Sequence, residues 1–391
     1  MAHIDTTDRA DRAGRPHARA TGCAAFVIAA ILVTACCASC TGRAPRTTWS
    51  ARAAATYLDQ REDWWMHWRG AVRDHGTFCI SCHTSLPYAL ARPRLDAVLH
   101  REAPGSTESA LTQDVIKRVA LWSETRPYYT DSRSGPHKSA QSRGTEAVLN
   151  ALILAMDDAR TGQLSPHTLM AFKDMWTLQE TTGAAAGAWP WLDFGLEPWE
   201  VKDARYYGAA MAALAVGVAP QGYRSTPAIQ ASLARLRGYL ERHYADQPLH
   251  QKLALLWAAS ALPGLESSAR RKSIIDAVLR KQHSDGSWSL YSLSPSYRRG
   301  RRLFKLWGDG YATAYVTFVL QQAGVPRTNP ALVRGLAWLV RHQRLPEGRW
   351  VTSSINEWQS SSNPESRFMS DAATAYAVLA LTDAGPPSPL Q

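Results

Sequence analysis

Cysteine is scarce in this sequence, which has six in 391 residues. Four of them, at positions 23, 36, 37 and 40, lie within the first 40 residues, and beyond that point only Cys79 and Cys82 remain. A scaffold held together by several disulfides is therefore excluded for most of the chain. A zinc site built from two CxxC pairs is excluded there as well, because no second pair follows residue 40.

Several patterns that mark common enzyme classes are also missing. No nucleotide-binding loop, phosphate-binding glycine run or Ser-His-Asp order stands out, so the sequence does not indicate those chemistries. The alternation of apolar and polar residues that is typical of half-buried strands is nearly absent. This absence fits an all-α fold.

An N-terminal export segment is indicated by residues 1–35. The uncharged apolar stretch at 23–35 is too short to span a bilayer, which takes about 20 residues, and four arginines precede it. Its end, Val33-Thr34-Ala35-Cys36, resembles a bacterial lipobox, in which Cys36 would carry the lipid. We expect a lipoprotein-type signal peptide, or alternatively an uncleaved anchor, followed by a tether over 36–50. Either places the rest of the chain in the periplasm or cell envelope, attached to a membrane.

Basic residues outnumber acidic ones, and the formal net charge is +11. This excess could favour anionic lipid headgroups or acidic protein partners. Nucleic acid is not expected as a partner, because the chain is exported.

The run Cys79-Ile80-Ser81-Cys82-His83 has the spacing that is used to attach haem covalently. The two thiols add across the vinyl groups of the macrocycle, and the adjacent imidazole becomes the proximal iron ligand. The sequence therefore predicts haem c bound by Cys79, Cys82 and His83, in agreement with export. Three other uses of the pair stay open: half of a zinc site completed by distant His or Asp residues, a redox dithiol, and a disulfide.

Internal repetition organises residues 51–385. Alanine-rich segments that contain Thr-Ala-Tyr and stop at Ala-Gly occur at Asp309–Gly324 and Asp371–Gly385. Related segments make six in all, and they start near residues 81, 145, 203, 252, 309 and 371. Their spacing matches the length of one long helical hairpin.

The other half of each repeat is an amphipathic helix, with apolar residues at three-to-four spacing, as in 274–279 and 331–340. These helices run into turns that contain glutamine and end in tryptophan, as at Gln282–Trp288 and Gln343–Trp350, with a looser form at Gly187–Trp189. Glycine permits a tight turn. Tryptophan is expected to fill the seam between neighbouring hairpins.

The Gln…Asp-Gly-Ser-Trp turns followed by Asp…Thr-Ala-Tyr helices resemble the repeats of squalene–hopene cyclases and related prenyltransferase-like α/α toroids. The thioester domains of the complement and macroglobulin group share that architecture. The resemblance covers roughly residues 51–385 and implies an all-α fold of six helical hairpins closed into an α6/α6 toroid. The alanine-rich helices would lie inside, the amphipathic helices outside, and residues 386–391 would form a tail.

The activities of these families do not carry over residue by residue. The cyclases protonate their substrate with an Asp-x-Asp-Asp acid, and the thioester domains use a Cys-Gly-Glu-Gln run; the sequence contains neither. Protein prenyltransferases bind zinc through Asp, Cys and His at the barrel mouth. That resemblance implies a zinc alternative at Cys82 or His83, with Asp309 or Asp371.

An alignment of the repeats suggests a second haem ligand. Phe78–Thr84 matches Phe368–Thr374, so that Cys79 corresponds to Met369. In a closed ring the sixth hairpin neighbours the first, and Met369 would stand at the height of the CxxCH run. A thioether is a usual second axial ligand and raises the haem potential. The local rivals are His75 and Met66, and an open sixth position is the other alternative.

An aromatic and acidic loop, Trp189–Glu200, precedes the third inner helix, at the end of the toroid where its mouth would lie. Its carboxylates are candidate general acids and bases, or solvated groups of a packed loop: Asp193, Glu197 and Glu200. The aspartates before three inner helices are instead expected to cap helix N-termini: Asp203, Asp309 and Asp371.

These features support three alternative functions. The first is an exported haem c protein that passes electrons to a redox partner protein or oxidises an apolar, isoprenoid-type substrate. The second is an isoprenoid-type cyclase or transferase with zinc in place of haem. The third is a non-catalytic binding module of the cell envelope.

Overall fold

Helices make up nearly all regular secondary structure in the computed structural model, which describes residues 48–127, 135–294, 308–356 and 363–384. Numbered in chain order, six helices have one buried face: α1 (Ala51–His67), α3 (Ser106–Ala120), α5 (Pro166–Thr177), α7 (Gln230–His243), α9 (Ser268–Leu279) and α12 (Pro330–His342). Six others are buried over most of their surface: α2 (Ser85–Val98), α4 (Gly135–Thr161), α6 (Ala204–Val218), α8 (Leu249–Ala261), α11 (Gly310–Gln322) and α13 (Phe368–Asp383). A short helix, α10 (Leu290–Leu293), and a small antiparallel pair, β1 (Val72–Arg73) and β2 (Thr77–Phe78), complete the described α-helices and strands, beside a few single-turn 3-10 helices.

The six mostly buried helices form a closed ring. Each contacts the next in the order α2, α4, α6, α8, α11 and α13, and α13 packs against α2. We call these six the inner helices, and the six helices with one buried face the outer helices. One outer helix precedes each inner helix in the chain, so that the two form a hairpin. The fold is therefore all-α, with six helical hairpins closed into an α6/α6 toroid, as the repeats predict.

Small residues allow the inner helices to approach one another. In α6, the α-carbon of Gly208 lies so close to the indole of Trp191 that a β-carbon would overlap the ring. On the same helix, Gly217 faces the backbone of Ala261 and Leu262 at the end of the next inner helix. The alanine-rich composition of these helices thus follows from close packing around a ring.

Four of the six outer helices begin at side-chain caps. Ser50, Ser165, Ser267 and Asn329 accept hydrogen bonds from the first-turn amides of α1, α5, α9 and α12. These caps satisfy amide groups that a helix N-terminus would otherwise leave unpaired.

The tryptophans of the Gln–Trp turns are fully buried. Burial is what we expect of side chains that fill a seam between hairpins. The indole N–H of Trp189 donates to the Met175 carbonyl in α5 (2.6 Å). Trp288 repeats this contact with Val278 of α9 at 2.9 Å, and Trp350 repeats it with α12. Each tryptophan therefore fixes its turn against the outer helix that precedes it.

The last of these turns closes the ring. The Gln343 side chain donates to the carbonyl of Ser50 (3.0 Å) and accepts from its amide (2.8 Å). Gly348 has a φ of +85° and lies against the carbonyl of Ala53 in α1, where a β-carbon would overlap. Glycine is required here for both its backbone conformation and its lack of a side chain.

The capping expectation holds for Asp309 and is wrong for the other two aspartates. Asp309 accepts a hydrogen bond from the Ala312 amide (2.8 Å) at the start of α11. Asp203 occupies the N-cap position of α6 without a capping bond from its side chain, and Asp371 lies inside the first turn of α13. The Asp371 carboxylate binds side chains of the first hairpin instead.

The expected export segment (1–35) with its lipidation site Cys36, the tether up to residue 47, and the C-terminal tail (386–391) lie outside the described residues. From residue 48 onward the chain already belongs to the toroid, since Trp49 packs on Trp350 with ring centroids 6.2 Å apart. Within the described ranges, no helix is long and apolar enough to cross a membrane.

Candidate functional site

A cleft of about 300 Å³ opens where the first and last hairpins meet. Its walls come from the end of α1, the segment before α2, the loop before α6 and the chain that leads into α13. The lining residues are Trp65, Trp68, His83, Leu196, Glu197, Trp199, Glu200, Ser354, Asn356, Glu365, Ser366, Phe368 and Met369. Aromatic rings and carboxylates therefore dominate the surface that a bound molecule would meet.

The β1–β2 pair carries the CxxCH run to this cleft. After β2, the Cys79 amide donates back to the chain that precedes β1 (2.9 Å), and the Trp65 indole donates to the Cys79 carbonyl (2.8 Å). The Ser81 hydroxyl then accepts from the amides of Thr84 and Ser85 at 3.1 and 3.0 Å. Ser81 thus satisfies two amides just before and at the start of α2, whose N-cap residue is Thr84, and the run is held at both ends.

Both cysteines are free and nearly buried, with 5% and 4% of their surfaces exposed. Burial raises the pKa of Cys79 to about 12. Burial also raises the pKa of Cys82, and the nearby Glu200 carboxylate adds to this effect. The thiols are therefore neutral at pH 7. Neither cysteine is among the described residues that line the cleft.

His83 lies in the cleft wall between aromatic rings. Phe368 stacks on its imidazole with ring centroids 3.9 Å apart, and Trp65 presents an edge at 5.0 Å. Burial, and then the positive charge of Arg61, lower the pKa of His83 to about 3. The imidazole is therefore neutral at pH 7, which is the state that a metal ligand requires. Its Nδ1 lies 2.8 Å from the Thr84 hydroxyl.

Met369 lines the same cleft as His83, although the two residues are far apart in the sequence. It lies in the first turn of α13 and is 4% exposed. The proposed local rivals lie elsewhere: Met66 lines a different groove, and His75 is exposed in the turn between β1 and β2.

Two carboxylates of the predicted acidic loop reach the cleft, namely Glu197 and Glu200. Burial raises the pKa of Glu200 to about 7, against the opposing charge of Lys138. The amide and carbonyl of Glu197 bond to the side chain of Asn356 at 2.7 and 2.8 Å, which joins this loop to the opposite wall. Glu200 is therefore a group that can exchange a proton near pH 7.

Trp199 brings a hydrogen-bond donor without a partner to the cleft. The residue is 5% exposed, and among the described residues no acceptor bonds its buried indole N–H. Buried polar groups are almost always satisfied by protein or by ordered water. This N–H is therefore available to an oxygen of a water or of a bound molecule in the cleft.

The third predicted carboxylate is separate from this site. Asp193 lines a second groove, of about 300 Å³, together with Lys202, Asp203 and Arg205. The structure therefore divides the predicted acidic set, with Glu197 and Glu200 at the cleft and Asp193 outside it.

The sequence patterns missed a buried network behind His83. Asp371 accepts hydrogen bonds from Tyr57 (2.7 Å), from Arg61 (2.8 Å) and from Thr84 (3.1 Å). Arg61 and Tyr57 are on α1, at the opposite end of the chain from α13. The repeat pattern of the sequence carries no signal for such a contact, since it arises only when the ring closes.

A zinc site would need several ligands close together. In the described part of the chain, no group of three or more His, Cys, Asp or Glu side chains is placed to hold a metal ion. Asp309 caps α11 and Asp371 is paired with Arg61. Both proposed acidic ligands thus have other partners.

Comparisons with known proteins bear on the fold. No protein-family model matches the chain, and no curated protein matches its sequence. Among solved structures, a polysaccharide lyase aligns over 85% of this chain and 96% of its own, with a TM-score of 0.53 and 12% identity. The chain has the α/α toroid fold.

Two further solved structures align at lower scores. A possible member of the GH105 family from Salmonella enterica subsp. enterica serovar Paratyphi A covers 85% of this chain and 94% of its own, with a TM-score of 0.46 and 12% identity. The type II terpene cyclase MstE from Scytonema covers 86% and 97%, with a TM-score of 0.45 and 15% identity. At these identities the likeness concerns architecture, and the chemistry of this chain must be argued from its own residues.

Proposed function

We propose that the chain is an exported toroid protein that carries one haem c, attached at Cys79 and Cys82 and ligated by His83, and that it serves a redox function. One observation carries the proposal: His83, the histidine of the CxxCH run, and Met369, which the repeat alignment predicted at the height of that run, line a single cleft. The CxxCH spacing and the export segment support it independently.

The types of donor in the CxxCH run and the cleft are those that haem c uses, with both thiols buried next to His83 in the chain and outside the cleft lining. The thiols are not bonded to each other, the imidazole is neutral, and the buried indole N–H of Trp199 has no acceptor among the described residues. A propionate oxygen would satisfy that donor. When bound, haem supplies reversible one-electron chemistry, with a potential set by its axial ligands and by exclusion of water.

The residues of the chain have separable tasks in this proposal. His83 would hold the iron, and the thioether of Met369 would raise the potential as a second ligand. The rings of Trp65 and Phe368, which pack on the imidazole, would keep water away from it. Electrons would pass to a redox partner protein at the cell envelope. Lipidation at Cys36 would keep the toroid at the membrane.

The intact mass of the mature protein, made in a host with a cytochrome c maturation system, tests the proposal. We expect the processed and lipidated chain plus one haem, and the processed and lipidated chain alone for the double variant Cys79→Ala/Cys82→Ala. A wild-type mass that equals the processed and lipidated chain would contradict covalent haem.

The distal ligand has its own test. Met369→Ala should abolish the sulfur-to-iron absorption of the oxidised protein, whereas Met66→Ala, in a different groove, should retain it. Sulfur-ligand absorption that persists in Met369→Ala would exclude Met369 as the ligand and leave covalent attachment intact.

A second candidate function rests on Glu200, whose pKa of about 7 suits a general acid or base. In this alternative the cleft belongs to a non-redox enzyme that acts on an isoprenoid or polysaccharide substrate, the classes named for its structural neighbours. We would expect a protein without haem that converts such a substrate, loses turnover in Glu200→Gln and keeps it in Asp193→Asn. A protein with neither haem nor turnover would instead be the non-catalytic module.

A further inference from the structure

The Thr84 hydroxyl lies between His83 and Asp371. Its oxygen is 2.8 Å from the imidazole Nδ1 and 3.1 Å from a carboxylate oxygen of Asp371. A hydroxyl has a single hydrogen, so it can donate to only one of these neighbours and must accept from the other. The direction of this bond determines which nitrogen of His83 carries the proton.

The surroundings of Asp371 decide the direction. The Arg61 Nε lies 2.8 and 3.0 Å from the two carboxylate oxygens, and the guanidinium is 4% exposed. Protonation of Asp371 would leave the permanently charged Arg61 buried without its counter-charge, which is strongly unfavourable. The carboxylate is therefore ionised and can only accept.

Tyr57 also acts as a donor to this carboxylate. Burial and the charge of Asp371 raise the pKa of Tyr57, so its hydroxyl keeps its proton and donates at 2.7 Å. Every bond to Asp371 thus runs towards the carboxylate, including the bond from Thr84. The Thr84 oxygen is left to accept, and among the described residues the donor that faces it on the other side is Nδ1 of His83.

We propose that Asp371, acting through Thr84, is a positioning residue that holds His83 with its proton on Nδ1, so that Nε2 bears the lone pair. The tautomer follows from the network alone, whereas its use in iron binding rests on the proposed function. Among the described residues no partner bonds Nε2. Nε2 is therefore the nitrogen whose lone pair is available to bind a metal ion.

The network would also tune the bound metal. A hydrogen bond from Nδ1 towards a carboxylate makes the imidazole a stronger electron donor. A stronger donor favours oxidised over reduced iron, so the network lowers the potential that Met369 raises. The last hairpin would then supply both opposing effects, one from Asp371 and one from Met369.

The test compares Thr84→Val, which removes the hydroxyl, with Thr84→Ser, which keeps it. The mature protein from the export-competent host is used, and its intact mass shows which of two measurements applies. If haem is attached, we expect a higher midpoint potential in Thr84→Val and in Thr84→Ala, with Thr84→Ser close to the parent. A potential that does not change when the hydroxyl is removed would overturn the positioning role.

If the mass shows no haem, the proposed function fails and the tautomer is still measurable. In protein labelled with ¹⁵N-histidine, the His83 signals are assigned by their loss in His83→Gln. We expect the Nδ1–H form at pH 7 in the parent and in Thr84→Ser, and its loss in Thr84→Val. An Nε2–H form in the parent would overturn the inference without reference to any cofactor.

Discussion

Two aspartates that open neighbouring inner helices have different partners. Asp309, at the start of the fifth inner helix, accepts hydrogen bonds from the backbone amides of Ala312 and Leu290. Asp371, at the start of the sixth, binds Tyr57, Arg61 and Thr84 of the first hairpin. Both aspartates precede the Thr-Ala-Tyr segment of their repeats. Asp309 nevertheless caps its own helix, whereas Asp371 binds side chains across the seam that closes the ring. The closing seam is therefore the place where a repeated residue acquired a new role.

Replacement of these two aspartates by asparagine should give the largest contrast. Asp371→Asn leaves the buried Arg61 without a counter-charge, and we expect a loss of about 3–5 kcal/mol in the free energy of unfolding. Asp309→Asn keeps a good capping side chain and should lose about 1 kcal/mol. Urea unfolding of both variants measures the difference. Equal losses would contradict the division of roles.

The closing seam can also be tested through its glycine. Gly348→Ala places a β-carbon against the Ala53 carbonyl and retains a φ of +85°, so we expect a loss of about 2–4 kcal/mol. Gly324→Ala is the matched control, because its φ is +77° but nothing lies within 4 Å of the added carbon. Its loss should be about 1 kcal/mol. Similar unfolding midpoints for the two variants would show that the seam is loosely packed.

Glu62 is a second buried carboxyl near the seam, and its protonation can be compared with that of Asp371, which is paired with Arg61. Burial raises the pKa of Glu62 from 4.5 to about 8, so the folded state binds a proton that the unfolded state releases. The free energy of unfolding should therefore fall as the pH rises through this interval.

Glu62→Gln should remove most of this fall and gain on the order of 2 kcal/mol over the parent at pH 8. The exposed Glu102→Gln should behave like the parent. Unfolding curves measured from pH 4.5 to 8 test this, and identical slopes for the parent and Glu62→Gln would contradict a buried neutral carboxyl.

The smallest effect is expected where the acidic loop meets the opposite wall. Asn356→Ala removes both hydrogen bonds to the backbone of Glu197. Because the contact is exposed, the cost should be about 1 kcal/mol or less. Amide hydrogen exchange at Glu197 should become faster while exchange in α11 stays slow. Unchanged exchange at Glu197 would mean that other contacts hold the loop.

The predictable parts of this protein are those encoded within one repeat. The Gln–Trp turns and the alanine-rich helices predicted hairpins, and Trp288 and Trp350 are buried as expected. The repeat alignment predicted Met369 at the height of the CxxCH run, and Met369 and His83 line one cleft. The role of Asp371 was not predictable, because an aspartate at the start of a helix can either cap the helix or bind other side chains, and the sequence is the same in both cases. The separation of Asp193 from Glu200 depended on a loop path that no periodicity describes.

By itself, the sequence determined six helical hairpins and the CxxCH run, because helical periodicity, turn glycines and cysteine spacing are local properties of the chain. Only the tertiary structure decided which carboxylates share a cleft with His83 and which side chains hold Asp371. The physical reason is ring closure: it brings α13 against α1 and α2, and contacts between the two ends of a chain are not encoded in the pattern of either end.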